Sequence, residues 1–229
     1  MAPSVDGVRA LDLLLPACCA LCGGGGEPVC PACARALPLL GGPACARCGK
    51  PTVIPVADCR ECRGRRLGFE GAVAAVAFEG RGRDLVLRFK DGGLRGLAAT
   101  SAGLIATVCP APESDALTWV PGDRWRTLRR GYHPAQELAR GLADRWGVPA
   151  RPLLAAAPLR RRQRGLDHAE RRRNVRGAFR PASALAGERI AVVDDVFTTG
   201  ATLSACAAAL RKGGAGAVVA VTLARVVRM

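Results

Sequence analysis

The segment Ile190-Ala191-Val192-Val193-Asp194-Asp195-Val196-Phe197-Thr198-Thr199-Gly200-Ala201-Thr202 puts three kinds of residue in a fixed order. An apolar, β-prone run comes first, then two adjacent acids, then a hydroxyl-rich turn with a glycine. Arg189 to Asp195 reads as a fully buried strand. Thr202 to Lys212 reads as a helix, stopped by Gly213-Gly214. In open α/β sheets, ligands sit at the carboxyl ends of strands. The N–H groups of Thr199, Gly200 and Ala201, at a helix start, offer donors and the positive end of a dipole to an anion. Thr198, Thr199 and Thr202 add hydroxyls, and Gly200 allows close approach of the backbone. Asp194 and Asp195, once ionised, only accept hydrogen bonds and so suit a vicinal diol. The segment predicts a phosphate at one end and a sugar at the other. A plain strand-to-helix turn with a Thr cap leaves the two acids unexplained.

Outward from this segment, Ala72–Phe78, Leu117–Val120 and Ala217–Leu223 read as further strands, with Ala150–Ala156 as an edge strand. Gly80–Lys90, Leu94–Val108 and Pro134–Trp146 show helical spacing, the last with Pro in its first turn. Apolar strands alternating with helices predict a parallel α/β sheet with right-handed crossovers. The N-terminal third has a different character. The division expected is a cysteine-rich segment over residues 1–66, ending in the linker Arg63-Gly64-Arg65-Arg66, and an α/β domain over 67–229.

Eight of the eleven cysteines form four Cys-x-x-Cys pairs: Cys19/Cys22, Cys30/Cys33, Cys45/Cys48 and Cys59/Cys62. Such a turn brings two thiolates to one tetrahedral ion, and two turns complete a zinc site. Two structural Zn²⁺ ions are therefore expected, in preference to disulfides or redox chemistry. The pairs combine sequentially or interleaved; the flexible linker Gly23 to Gly26 favours sequential pairing. Four thiolates leave Zn²⁺ no open position, so its role is to let a piece too small for its own core fold. Cys109 and Cys206 read as small buried hydrophobes.

The chain has 229 residues, 49% of them apolar, which suits a packed core and excludes a disordered chain. Lys+Arg is 34 against 19 Asp+Glu, a net charge of +15. Between Pro121 and Arg180 lie 16 Arg and 5 acids, and residues 160–176 alone hold eight Arg. A stripe of this kind points to polyanions: nucleic acid or a multiply phosphorylated small molecule. No apolar run reaches the length of a membrane span. Leu11–Pro16 is short and interrupted by Asp12, so no export signal and a cytoplasmic location are expected.

Residues 190–202 resemble the signature of type I phosphoribosyltransferases, which bind 5-phosphoribosyl 1-pyrophosphate. The resemblance implies that Asp194 and Asp195 hold the ribose 2′ and 3′ hydroxyls. Val196, Phe197, Thr198, Thr199, Gly200, Ala201 and Thr202 then form the 5′-phosphate loop. Over most of the chain the order of motifs is similar to the ComF family of competence proteins, with a double zinc ribbon and a phosphoribosyltransferase domain. That order runs from four Cys-x-x-Cys turns through Phe89-Lys90, Val120-Pro121 and Arg130-Gly131-Tyr132 to Gln163-Arg164-Gly165-Leu166, Glu170-Arg171, Arg173 to Phe179 and the loop. Where the family has Arg-Gly-Phe-Asn-Gln-Ala, this chain has Arg130-Gly131-Tyr132-His133-Pro134-Ala135.

The family likeness implies phosphoribosyl transfer with Mg²⁺ on the donor and Asp194 and Asp195 as the catalytic acids. The acceptor is open. Arg124, Arg130, Arg162, Arg164 and Arg171 are candidates for pyrophosphate or another polyanion. The stretch 160–176 reads either as a basic hood over the site or as a track for single-stranded DNA, with Tyr132 and Phe179 as nearby aromatics. The competing reading is a non-catalytic sensor of phosphoribosyl pyrophosphate that binds single-stranded DNA or adapts DNA-uptake proteins.

Overall fold

The computed structural model describes residues 18–157 and 177–227. Its frame is a four-stranded parallel sheet of β1 (Gly71–Ala77), β2 (Ala116–Trp119), β5 (Arg189–Phe197) and β6 (Ala217–Arg225), in the order β1-β6-β5-β2. Among the described residues the helices are α1 (Pro31–Arg35), α2 (Gly80–Lys90), α3 (Leu97–Val108), α4 (Arg124–Arg130), α5 (Pro134–Trp146) and α6 (Ala201–Lys212). The expected α/β parallel sheet is present, and its strands and long helices fall close to their expected spans. The free edge of β1 is covered by residues 38–40, where the Leu40 amide donates to the Ala75 carbonyl and the Ala77 amide to that of Pro38.

The sheet separates two apolar cores. Ala191, Val193, Val221 and Leu223 face α2, α3 and α5, and pack with Leu85, Phe89, Ile105, Leu138 and Leu142. Ile190, Val192, Val218 and Ala220 face α6 and pack with Leu203, Cys206 and Leu210. Each core also takes in part of the cysteine-rich segment: Cys19, Val29, Cys33 and Leu37 on the α2 face, Cys45, Cys48, Cys59 and Cys62 on the α6 face. Burial therefore runs continuously across residue 66. Cys109 and Cys206 are buried, as expected.

One expected strand lies elsewhere. Residues 150–156 do not form an edge of the main sheet. Ala150 makes a single parallel bridge to Leu117, and the next ladder donor, the Leu153 amide, turns instead to the Arg151 carbonyl and Thr118 Oγ1. The chain turns away as β3 (Leu154–Ala156), which pairs antiparallel with β4 (Phe179–Pro181) in a separate two-stranded sheet. A further element, for which the sequence reading gives no expectation, is α4. Its signals are an Asp123 cap, whose Oδ1 accepts from the amides of Trp125 and Arg126 at 3.0 and 3.1 Å, and Gly131 in the left-handed region at φ +77°. No residue of α4 is buried.

Candidate functional site

Strand β5 carries the two acids, but does not end on them; it runs on to Phe197. Thr198, Thr199 and Gly200 then turn the chain into α6, which begins at Ala201. Gly200 is the N-cap at φ +73°, and a Cβ there would lie 2.7 Å from Phe197 Cζ. Only glycine fits both demands. Gly200 brings no capping side chain; Thr199 Oγ1 stands 3.4 Å from the Ala201 amide. The first turn of α6 thus presents backbone donors beside the exposed Thr198, at the carboxyl end of the sheet, where an anion is favoured.

The two carboxylates serve opposite faces. Asp195 is 8% exposed and pairs with Lys90 Nζ at 2.5 Å on the α2 face. Asp194 is half-buried, and its Oδ1 accepts from the Asp195 amide at 2.9 Å. Burial pushes the Asp194 carboxyl up to about 7, with the neighbouring Asp195 charge adding to the rise. Near neutral pH Asp194 thus exchanges its proton readily, while Asp195 faces Lys90. That arrangement accepts hydrogen bonds from hydroxyls readily and has room for a further positive charge.

The expected basic residues divide. Arg124 is exposed at the start of α4. Arg130 is committed to Asp91 at 2.9 Å. Arg162, Arg164 and Arg171, with the basic hood, lie outside the described residues. Tyr132 is not available for stacking: it is 6% exposed, its hydroxyl donates to the Phe89 carbonyl, and its ring packs on Phe89. The large aromatic that is exposed is Trp125, at 79%. His133 has a structural place. Its Nδ1 accepts from the Gln136 amide at 3.2 Å, capping α5, and its ring lies against Gly122. Burial holds its pKa below the usual histidine value, so the ring is neutral with its proton on Nε2.

Three residues that sequence reading did not place at the site are Arg65, Lys90 and Arg225. The Arg65 guanidinium donates to the Thr199 carbonyl. Arg225 lies over the Phe197 ring, 4.5 Å from its centroid. Lys90, one of only three lysines in the chain, neutralises Asp195. Each is distant in sequence from the loop, so only the fold brings it there.

The thiols gather sequentially: Cys19, Cys22, Cys30 and Cys33 in one group, Cys45, Cys48, Cys59 and Cys62 in the other, with all Sγ atoms of each group within 4.8 Å of one another. A tetrahedral ion with Zn–S bonds of about 2.3 Å sets its sulfurs about 3.8 Å apart. The Sγ pairs Cys22–Cys30, Cys45–Cys62, Cys48–Cys59 and Cys59–Cys62 stand at 3.8, 3.5, 3.6 and 3.7 Å. Backbone amides already donate to sulfur, Cys30 to Cys19 Sγ at 3.4 Å and Cys59 to Cys45 Sγ at 3.2 Å. The Cys30 amide chiefly brings Cys19 down to about 6, whereas burial pushes Cys33 up to about 12. Four crowded thiols cannot all ionise unaided, and a divalent cation removes that conflict. The donor sets fit two Zn²⁺ ions.

Residues 10–63 match the double zinc ribbon domain family. Over 203 residues the chain is 29% identical to the DNA utilization protein YhgH of Salmonella typhi, covering 83% of this chain and 87% of that protein. It is 28% identical over 185 residues to the Escherichia coli protein of the same name, covering 76% and 80%. Competence protein F of Haemophilus influenzae is 36% identical over 104 residues, 44% of this chain, which spans 45% of that protein's length. Among solved structures, the allosteric regulatory enzyme of purine biosynthesis is similar with a TM-score of 0.40 and 23% identity, covering 56% of this chain and 25% of its own. The glutamine phosphoribosylpyrophosphate amidotransferase of B. subtilis is similar at 0.42 and 22%, covering 59% and 30%. No helix among the described residues is long and apolar enough to cross a membrane. The chain is thus similar along most of its length to DNA utilization proteins and over nearly half of it to a competence protein, with a double zinc ribbon at its start.

Proposed function

We propose that this chain binds 5-phosphoribosyl 1-pyrophosphate at the carboxyl end of its sheet, in the service of DNA uptake or use. One observation carries the reading: two carboxylates on β5 stand just before a glycine-capped helix start that no N-cap side chain closes. In this reading the Thr198–Thr202 loop holds the 5′-phosphate, and Asp194 and Asp195 accept from the ribose hydroxyls. Mg²⁺, when bound with the donor, neutralises pyrophosphate, and Asp194 is the side chain best able to accommodate its charge, since Asp195 already has Lys90. In a transferase, pyrophosphate leaves the anomeric carbon with its bonding electrons and an acceptor nucleophile takes its place. The two acids then face the positive charge that develops on the ribose.

The second reading is a sensor that binds the same ligand without turnover and contacts single-stranded DNA. Helix α4 favours it. Trp125 and Leu128 are 79% and 72% exposed there, among Arg124, Arg126 and Arg129. Calorimetric titration of phosphoribosyl pyrophosphate with Mg²⁺, set beside Asp194→Ala/Asp195→Ala, tests the shared claim. Pyrophosphate release, with and without single-stranded DNA, separates the two readings. Binding that survives the double substitution overturns the assignment of the site.

A further inference from the structure

We infer that Arg225 is a positioning residue that ties the second four-cysteine site to the phosphate loop, so that filling this site with metal orders the loop. The inference rests on the reading of residues 198–202 as a phosphate site. Arg225 ends β6 and is 2% exposed. Its guanidinium donates to the Cys48 carbonyl and stands 3.6 Å from Cys48 Sγ, and Glu61 Oε2 lies 3.5 Å away. The flat face of the same group covers the Phe197 ring at 4.5 Å, a favourable stacking of cation on aromatic face. Phe197 is 3% exposed and also packs against Phe69, ring to ring at 6.0 Å and nearly perpendicular. The tip of that ring occupies the space beside Gly200 Cα. From Cys48 through Arg225 and Phe197 to Gly200, every step is a contact between groups with little freedom to move.

A second tie runs in parallel. Arg65, three residues beyond the last ligand of this site, donates to the Thr199 carbonyl, while Arg47 Nη2 donates to the Arg65 carbonyl at 2.9 Å. Both residues that flank the turn's peptide groups, Phe197 and Thr199, are thereby held by the second ribbon. Among the described residues the first ribbon has no such connection. The arginine that reaches its thiols, the exposed Arg81 of α2, points Nη1 at Cys33 Sγ at 3.1 Å on the opposite face of the sheet. A metal that fixes Cys48 fixes the partner of Arg225; without it the ring loses its stop, and the loop loses the preorganisation that phosphate binding needs.

The test uses the full zinc-loaded chain and the variants Arg225→Met, Arg225→Lys and Arg81→Met. Amide hydrogen exchange of residues 197–203 is measured alongside calorimetric binding of ribose 5-phosphate and zinc content. With Arg225→Met, loop exchange is expected to rise and ribose 5-phosphate to bind about tenfold more weakly, while at least the first site keeps its zinc. Arg225→Lys keeps the charge without the flat stacking face, and is expected to fall between Met and the parent. Arg81→Met is expected to change neither reading. Should Arg225→Met fold poorly, the lysine variant decides by the same exchange measurement. Parent-like loop exchange in Arg225→Lys and Arg225→Met overturns the coupling, as does an equal effect of Arg81→Met. If the parent does not bind ribose 5-phosphate yet its loop exchange responds to Arg225, the coupling stands and the phosphate reading falls.

Discussion

Lys90, the last residue of α2, meets Asp195 of β5 with 2.5 Å between Nζ and Oδ2. Their side chains are 33% and 11% exposed, so the pair is neither a surface ornament nor fully buried. Removing the cation alone leaves a desolvated carboxylate next to Asp194, which costs more than the pair itself contributes. Lys90→Met is expected to lower stability by about 1–3 kcal/mol, and Lys90→Met/Asp195→Asn to recover most of the loss. Urea unfolding of the parent, these two variants and Asp195→Asn measures the cycle. Equal costs for the single and double substitutions would remove Lys90 from the account of the site.

The first acid gives a pH prediction of definite sign. Burial, reinforced by Asp195, raises the folded carboxyl of Asp194 to about 7, above the roughly 3.9 of an unfolded chain. The folded state therefore holds this proton more tightly. The contribution of Asp194 to stability is fullest below pH about 4, and declines as the pH rises toward 7. Asp194→Asn is expected to flatten that decline, seen as a smaller difference between unfolding midpoints at pH 4.5 and pH 7.5. Affinity for a ribose diol runs the other way, because the ionised carboxylate is the better acceptor. A binding constant that does not change between pH 6 and pH 8 in the parent would contradict this role.

Much of the site lay open in local sequence. Ile190 to Thr202 announces strand, acids, turn and helix because each element depends on neighbours within a few residues. The same holds for the knuckles and for Pro134–Trp146, whose ends the proline and Gly147 mark. What could not be read depends on register and long-range packing. Ala191 and Val193 lie in the core of the α2 face, and strict alternation would send Phe197 there too; it joins the α6-side core instead. Nothing in the order of residues says that Arg225 will lie on Phe197, or Lys90 on Asp195. Tyr132, an aromatic beside arginines, looked like a stacking platform until its hydroxyl found the Phe89 carbonyl. Helix α4 was missed because it buries nothing, although Asp123 and Gly131 bracket it.

Two metal ions per chain are expected, one for each core. Cys22 is exposed and Cys48 is buried. Cys22→Ser should reduce bound zinc to about one equivalent and loosen the first ribbon against the α2 face. Cys48→Ser should do the same on the α6 face, where a Cβ on Gly49 would stand 2.5 Å from the Ala72 carbonyl oxygen and the fit is correspondingly tight. Chelation of both ions should unfold the ribbons and expose apolar surface in both cores. Elemental analysis and dye-binding fluorescence check this. Full zinc in either variant would refute the grouping of the thiols.

Gly200 is the position where local conformation and packing agree most closely. At φ +73° a side chain is strained, and a Cβ would meet Phe197 Cζ at 2.7 Å. Gly200→Ala is expected to cost about 1–3 kcal/mol and to displace the turn from the ring. Phosphate binding should suffer more than folding, because the turn's backbone donors must converge on one anion. Isothermal titration with ribose 5-phosphate, compared with the thermal midpoint, separates the two effects. Unchanged affinity in a folded variant would show that the anion does not sit on this turn.

The exposed face of α4 offers the cleanest division between the two functional readings. Trp125 and Leu128 are three residues apart on one side of a seven-residue helix, flanked by arginines and supported by no core contact. Because nothing folds around Trp125, Trp125→Ala should leave stability within about 0.5 kcal/mol. If bases stack there, the substitution should weaken binding of a short oligo-dT by about 1–3 kcal/mol. Arg124→Ala and Arg126→Ala should instead flatten the dependence of affinity on salt, since each removes a phosphate contact. Fluorescence anisotropy of labelled oligo-dT at several salt concentrations reads both effects. Loss of affinity without loss of salt slope in Trp125→Ala marks a stacking platform. Parent-like binding by all three variants would take α4 out of DNA contact, and leave its arginines to the pyrophosphate side of the site.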